Sequence, residues 1–392
     1  MLLDRSFVVP FSHRLRFTEG LFDEGNTILD ELLVREDQRP ARVLVVVDGG
    51  LAAGVPSLVP QAEAYVRRRE QTGAVQAAGP VLIVPGGEVC KNDRSVLDTL
   101  LAALHQGKIC RRSYVVVVGG GAVLDVVGFA ASIFHRGVRL IRVPSTTLAQ
   151  ADSGVGVKSA VNFFNTKNLV GAFSPPWGVV NDERLLTRLS DEHWRDGFSE
   201  VVKVAMLKDA AMYERLRTVA PLLRDRNMQA AVPMIRQSAL LHMEHITAGG
   251  DPFEFQRARP LDFGHWAAHK LEQMTGFELS HGYAVSIGVA LDTFYAELCG
   301  KARAGLGEEV ALCLEAIGLP AWHPMLLETD RLLGGLEEFR EHLGGQMTIT
   351  LVSEPGTSFE VHEIDARKMA EAVGRLERRR NGSRHSAVGI RQ

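Results

Sequence analysis

The sequence predicts an α/β protein: a parallel sheet covered by helices in the first half, then a mostly helical domain. Short Val/Ile/Leu runs recur at Arg42–Val47, Val81–Val84, Tyr114–Val118 and Leu140–Val143. Helix-like stretches such as Ser95–His105 and Ala122–Ile133 separate them. Runs without polar alternation suit strands buried on both faces, the condition of a parallel sheet. After about residue 180 helical periodicity dominates, from Asp191 to Gly318, with one late strand candidate at Met347–Val352. The boundary falls near Pro175–Asp182, giving domains 1–180 and 181–392. Phe7–Phe17 alternates more and is expected to form an edge hairpin.

A chain of 392 residues, 46% hydrophobic, is long enough for two substantial cores, and its net charge of −3 argues against nucleic acid or a membrane surface as main partner. Cys90, Cys110, Cys299 and Cys313 lack C-x-x-C spacing and read as reduced thiols. MLLDRSFVVPF has an early acid and no long apolar run, so no signal peptide is expected, and no apolar stretch approaches the roughly 20 residues of a membrane span. The expected compartment is the cytoplasm. The basic run from Arg378–Arg380 to Arg391 reads as a solvated tail.

Four punctuated turns follow the predicted strands: VVVDGG, VPGGEVCK, VVGGGAVLD and VPSTT. Parallel sheets bind ligands beyond the carboxyl ends of their strands. Gly119, Gly120 and Gly121 allow close backbone approach to a pyrophosphate, and the helix that follows offers it a positive end. Asp48, Glu88 and Lys91 are candidates for ribose and adenine contacts, with Asp125, Ser145 and Thr146 nearer the reactive ring of a dinucleotide. One such turn is equally well a tight connection. Four at successive strand ends favour a nucleotide.

The stretch from Pro144 to Lys158, PSTTLAQADSGVGVK, is dense in hydroxyls and glycines and carries Asp152 and Lys158; Asn162, Lys167 and Asn168 follow. Small residues leave room for a ligand and the lysines supply positive charge, as a polyol and phosphate cradle requires. In GFSEVVK, Glu200 and Lys203 lie three apart on a helix and share a face. Apolar neighbours argue against a surface ion pair there. In DFGHWAAHKLE, His265 and His269 lie one turn apart, with Asp262 placed to cap their helix. His281, followed by Gly282, sits near another helix start. Glu200, His265 and His281 form the acid-plus-two-imidazole set of a catalytic metal site with an open position. Any one of these histidines could be a core residue; the set with a carboxylate is better explained by a metal.

GGGAVLD, PSTTLAQADSGVGVK, GFSEVVK, FGH-x3-H and HGYAVSIG together resemble the 3-dehydroquinate synthase superfamily, the sugar phosphate cyclases, from about Asp48 to His281. The resemblance implies a Rossmann-like NAD domain, a helical metal-binding domain, Zn²⁺ or Co²⁺, and a homodimer acting on a small sugar phosphate. It gives Glu200, His265 and His281 to the metal, and Asp152, Lys158, Asn162, Lys203 and His269 to substrate hydroxyls and phosphate. Arg136, in FHRG, would reach the phosphate in the neighbouring subunit's site, and Lys167 would lie by the cofactor. The implied reaction is transient oxidation by NAD, phosphate elimination, reduction and intramolecular aldol closure.

Departures from the family pattern redirect the substrate. The quinate-forming enzymes clamp a carboxylate with a lysine and an arginine, and those positions hold Glu244 and Ala258 here, with Arg257 and Arg259 beside them. The asparagine of their LNFGH motif is Asp262, and the region of a late phosphate-binding lysine holds Glu341 and His342. A glutamate facing a carboxylate in a closed site would cost several kcal/mol, as an order of magnitude. The expected substrate is therefore a carboxylate-free sugar phosphate, sedoheptulose 7-phosphate first. Asp262 is shared with the C7-cyclitol synthases, and retention of His269 favours their 2-epi-valiolone branch; GGDPFE and ARPLDFGHWAAHKLE also resemble cyclases of bacterial ebo-type clusters. The alternatives are 3-dehydroquinate synthesis, an iron-type polyol dehydrogenase and a non-catalytic binding protein.

Overall fold

The computed structural model describes residues 3–37, 39–164, 166–252, 260–342 and 347–388, with backbone only for Pro260, His342 and 382–388. The chain divides into two compact units, Met1–Ala149 with Ser153–Arg188, and Gln150–Asp152 with Leu189–Gln392.

The first unit runs β1 (Leu15–Thr18), α1 (Ile28–Leu32), β2 (Ala41–Asp48), α2 (Gly49–Gly54), α3 (Leu58–Gln71), β3 (Val75–Ala77) and β4 (Leu82–Val84). It continues with α4 (Val89–Asn92), α5 (Arg94–Gln106), β5 (Tyr114–Gly119), α6 (Gly121–Ile133) and β6 (Arg139–Pro144). A hairpin, β7 (Lys158–Phe163) and β8 (Thr166–Phe173), precedes β9 (Gly178–Asp182). Among the described residues seven strands form one sheet in the order β1-β9-β6-β5-β2-β3, with β4 also on β2, and every pairing in it is parallel. Side chains alternate across the sheet. Val43, Val45, Val47, Val116, Val118, Ile141 and Val143 pack with Leu29, Leu58 and Tyr65 on one face. Leu44, Val46, Val115, Val117 and Leu140 pack with Leu100, Leu104, Val123 and Val127 on the other. This double covering is why those strands read as unbroken apolar runs, and it gives the α/β, Rossmann-like plan.

The second unit is chiefly helical: α7 (Asp191–Asp196), α8 (Phe198–Lys208), α9 (Ala210–Arg224), α10 (Met228–Thr247), α11 (His265–Met274), α12 (His281–Leu298) and α13 (Leu306–Ile317). Then come α14 (Thr329–His342), the antiparallel pair β10 (Ile349–Glu354) and β11 (Thr357–Val361), and α15 (Ala366–Val388). Its centre is α12, buried from Ala284 to Ala296, with α8 buried from Phe198 to Leu207. Two helices buried on all sides need neighbours all round, and α11, α13 and α15 pack on α12.

Two expectations need correction. Phe7–Phe17 is not a hairpin: Leu15–Thr18 is a lone edge strand whose backbone pairs in parallel with β9, Leu15 opposite Val179, while Phe7, Val8, Val9 and Phe11 are exposed. The strand takes a partner from the far end of its unit, which local alternation does not encode. Nor does the basic run begin as a solvated tail, because Arg379 forks between Glu308 and Glu315 and Arg380 lies over the Trp322 ring at 4.1 Å. Opposite charges on α13 and an aromatic face hold the start of that run. The four cysteines are free, and no helix among the described residues is long and apolar enough to cross a membrane.

Candidate active site

In the first unit Asp48, Gly119–Gly121, Ser145 and Thr146 stand at the carboxyl ends of β2, β5 and β6. The chain crosses from one side of β2 to the other between β4 and β5, so Asp48 and Gly119–Gly121 stand at the switch point where open parallel sheets take ligands. Helix α6 starts at Gly121 after the extended Gly120, with no side-chain cap on its first turn. A Cβ on Gly121 would come to 3.1 Å from the Ser153 hydroxyl, and one on Gly120 to 3.4 Å from Thr146. Bare N–H groups behind a backbone without side chains fit a pyrophosphate. The Asp48 carboxylate accepts from the Gly50 and Leu51 amides at 2.8 and 3.1 Å and so opens α2. The Ser145 amide donates to the Gly119 carbonyl, and the Thr146 hydroxyl accepts from the Ala149 amide.

Other predicted residues of this unit bind one another. Buried Lys91 donates to Asp125 at 2.7 Å and to Asn168. The Asn162 amide donates to Glu88 at 2.8 Å and to Asn92, and its oxygen accepts from the Asn168 amide. Lys158 is exposed and Lys167 half-buried on the β7–β8 hairpin; Arg136 is exposed, with φ +63. Sequence reading passed over Arg142, hidden inside a strand read as apolar. Its buried guanidinium donates to the Gly156 and Lys158 carbonyls at 2.7 Å and to Ser159 at 2.8 Å, which fixes the start of β7.

In the second unit Glu200, His265 and His281 converge. Glu200 is almost wholly buried, and its Oε1 lies 3.4 Å from Nε2 of both His265 and His281. That is long for a hydrogen bond. Two metal–ligand bonds of about 2.0–2.1 Å at a tetrahedral angle put ligand atoms about 3.3–3.4 Å apart, so the spacing fits one ion. Both rings are oriented for this: His265 Nδ1 faces the Phe263 carbonyl at 3.1 Å and His281 Nδ1 faces Glu272 Oε2 at 3.2 Å. A donated Nδ1–H leaves Nε2 free as ligand and makes it more basic. His281 is the most exposed of the three.

Both histidines are placed by their helices. His281 begins α12, where Ser280 accepts from the Tyr283 amide and donates to Asp196 at 2.6 Å. Gly282 lets this start sit on α7, since a Cβ there would lie 2.1 Å from the Asp196 carbonyl oxygen. His265 begins α11 after Gly264, which has φ +77. Asp262 does not cap that helix, contrary to expectation: it lies in the preceding 3-10 turn, and the Gly264 amide donates instead to Asp292. A glycine in the left-handed region turns the chain so that the cap arrives from α12.

Beside these three, Lys203 Nζ lies 2.5 Å from Glu200 Oε2 and 3.7 Å from Asp152 Oδ2. Burial pushes the Glu200 carboxyl upward, but Lys203 and His265 outweigh it and hold it well below its ordinary value. Asp152 behaves alike: burial raises it, and Lys203 with His242 brings it down. Burial disfavours the Lys203 ammonium, yet the two carboxylates leave it more basic than a free lysine. All three are charged at neutral pH. The exposed His269 ring stacks at 6.0 Å on His281.

The predicted Asp152, Glu200, Lys203, His265 and His281 thus form one cluster, with Asp262 close enough to act on the Lys203 charge. Glu244 does not join it among the described contacts; its side chain is exposed on α10. The residue α10 contributes is His242, whose Nδ1 lies 2.7 Å from Asp152 Oδ1. Ala258 and its neighbours Arg257 and Arg259 lie outside the described residues, as does the His342 side chain. His242, Glu272 and Asp292 escaped the sequence reading because each acts on a residue from another segment; only the Glu ending AAHKLE carried a signal, its spacing from His265.

The chain matches the model of the 3-dehydroquinate synthase N-terminal domain over residues 81–196 and that of the C-terminal domain over 197–338. It belongs to the 3-dehydroquinate synthase family. Membership makes it an enzyme of the sugar phosphate cyclase group. Within the family it is 31% identical over 354 residues to 2-epi-5-epi-valiolone synthase of Streptomyces glaucescens, covering 90% of this chain and 87% of that one. It is 33% identical over 336 residues to 3-dehydroquinate synthase of Paracoccus denitrificans, covering 83% and 87%. The structure of ValA, the 2-epi-5-epi-valiolone synthase of Streptomyces hygroscopicus subsp. jinggangensis with NAD⁺ and Zn²⁺ bound, superposes with a TM-score of 0.85 at 26% identity, covering 96% of this chain and all of that one. These identities do not separate the two activities.

Proposed function

We propose that this family member cyclises a carboxylate-free sugar phosphate, sedoheptulose 7-phosphate first, to a cyclitol of the 2-epi-valiolone type, with NAD in the first unit and Zn²⁺ or Co²⁺ on Glu200, His265 and His281. The observation that carries the chemistry is the 3.4 Å spacing of Glu200 Oε1 from two anchored imidazoles, with an acid–lysine pair beside it. The choice of substrate rests on sequence alone: Glu244 and Ala258 occupy the positions at which the quinate-forming enzymes have their lysine and arginine. When bound, NAD supplies reversible hydride transfer and the metal a Lewis acid for substrate oxygens.

The chain's own groups do the rest. Lys203 keeps Glu200 ionised for the metal and Asp152 ionised as acceptor for a substrate hydroxyl. Its ammonium, with the His269 imidazole, stabilises charge on the departing phosphate. By their places in the family motifs, Lys158, Asn162 and Arg136 serve the phosphate and hydroxyls, Asp262 binds or relays at the reacting end, Glu244 takes the sequence position of the clamp lysine, and His342 falls in the region of the late phosphate-binding lysine. Arg136 makes the active form a homodimer.

The test is incubation with NAD, Zn²⁺ or Co²⁺ and a panel of sugar phosphates, with phosphate release measured and products identified by NMR. Sedoheptulose 7-phosphate should release phosphate without net NADH, and Glu200→Ala or His265→Ala should lose both metal and phosphate release. Release confined to the carboxylated heptulosonate phosphate would overturn the substrate assignment. Near wild-type release by either variant would overturn the site.

A further inference from the structure

Asp292 lies in the middle of α12, wholly buried, and its hydrogen bonds go to neither a proposed metal ligand nor a catalytic side chain. Its oxygens nevertheless go to two donors that bracket a ligand in sequence. Oδ2 accepts from the Gly264 amide at 3.1 Å and Oδ1 from Trp266 Nε1 at 2.9 Å. Between those donors stands His265.

We infer that Asp292 is a positioning residue for the metal centre, tying the first turn of α11, which carries His265, to the body of α12, which carries His281. The inference rests on the metal-centre reading above. Three further observations support it. The first turn of α11 has no side-chain cap of its own, so its leading amides need an outside acceptor. The helices meet backbone to backbone at this point: a Cβ on Gly288 would lie 2.0 Å from the Gly264 oxygen, and one on Gly264 2.6 Å from the Val289 nitrogen. Asp292 is one turn beyond Gly288, so its carboxylate closes the contact the glycines open. Finally, His265 takes its ring orientation from the Phe263 carbonyl, in the same short turn. A shift of that turn moves Nε2 away from Glu200 Oε1. Burial also pushes the Asp292 carboxyl up to about 7, so the fold carries a costly group where an apolar one would pack.

Asp292→Asn keeps the shape, but its amide oxygen serves only one of the two N–H donors. The test measures Zn²⁺ and Co²⁺ affinity of the full-length chain by competition with a chromophoric chelator, together with the Co²⁺ d–d absorption spectrum. Asp292→Asn should weaken binding about 10- to 100-fold, the range for a lost outer partner of a ligand, and change the spectrum. Trp266→Phe, which keeps the Gly264 bond and most of the buried ring, should shift both in the same direction by less. Thr293→Val is the control: it removes a buried hydroxyl bonded to the Val289 carbonyl on the same helix, and should lower Tm with wild-type affinity and spectrum. The inference fails if Asp292→Asn and Trp266→Phe bind within twofold of wild type, or if Thr293→Val weakens binding as much as they do. Metal binding by the wild type that Glu200→Ala does not diminish would overturn the functional reading first, and this inference with it.

Discussion

Replacing Lys203 by Met should pull protein stability and metal affinity in opposite directions. The ammonium sits 2.5 Å from Glu200 Oε2 and 3.7 Å from Asp152 Oδ2, with 2% of its side chain exposed. At an effective dielectric constant of about 20, unit charges at those distances attract by about 7 and about 4 kcal/mol before desolvation is charged against them. Breaking a buried pair from one side costs about 3–5 kcal/mol net. Proton uptake limits the loss: protonating a carboxyl of ordinary value 4.5 at pH 7 costs about 3.4 kcal/mol, so the variant should lose about 3–4 kcal/mol in chelator. The same ammonium repels a dication on the other oxygen of Glu200. At pH 8, where proton competition is weak, Lys203→Met should therefore bind Zn²⁺ at least as tightly as wild type while losing turnover. Urea unfolding followed by the buried Trp194 and Trp266, in EDTA and in buffered Zn²⁺, measures both quantities for the second unit. Unchanged stability in EDTA, or affinity that falls together with stability, would refute the reasoning.

Stability should also depend on pH through Asp292. Its folded carboxyl, lifted by burial from 3.8 to about 7, contributes stability that is fully present below 3.8 and lost as pH rises through 7, up to about 4 kcal/mol. Glu200 and Asp152 act oppositely: held below their ordinary values, they contribute above 4.5 and 3.8 respectively and lose that contribution as pH falls through the folded values. The stability difference between Asp292→Asn and wild type should shift toward the variant by up to about 4 kcal/mol from pH 4 to pH 8; a flat difference in urea midpoints would contradict this. Glu272→Gln keeps an acceptor for His281 Nδ1 but removes the charge, and should weaken Zn²⁺ about tenfold in chelator competition. Gly282→Ala drives a methyl against the Asp196 carbonyl and should cost about 1–3 kcal/mol, read as a lower Tm, with weaker metal binding because His281 moves.

The unbroken Val and Ile runs determined β2, β5 and β6, because a strand buried on both faces has no polar side to show. The spacing of Glu200 and Lys203, and of His265 and His269, placed each pair on one helical face, since that needs only the geometry of a single helix. Residue types alone nominated Glu200, His265 and His281 as a ligand set. What the tertiary structure decided is what surrounds that set. Asp152 meets His242, Glu272 orients His281, and Asp292 caps the turn of His265, each across helix packing that local periodicity cannot express. The same limit explains the strand at Leu15–Thr18, whose partner lies at the far end of its unit, and the choice of His242 over Glu244 as the inward residue of α10. Sequence reports which faces are buried. Which buried faces touch depends on how the helices and strands pack, and that packing alone brought the acid, the lysine and the imidazoles to one point.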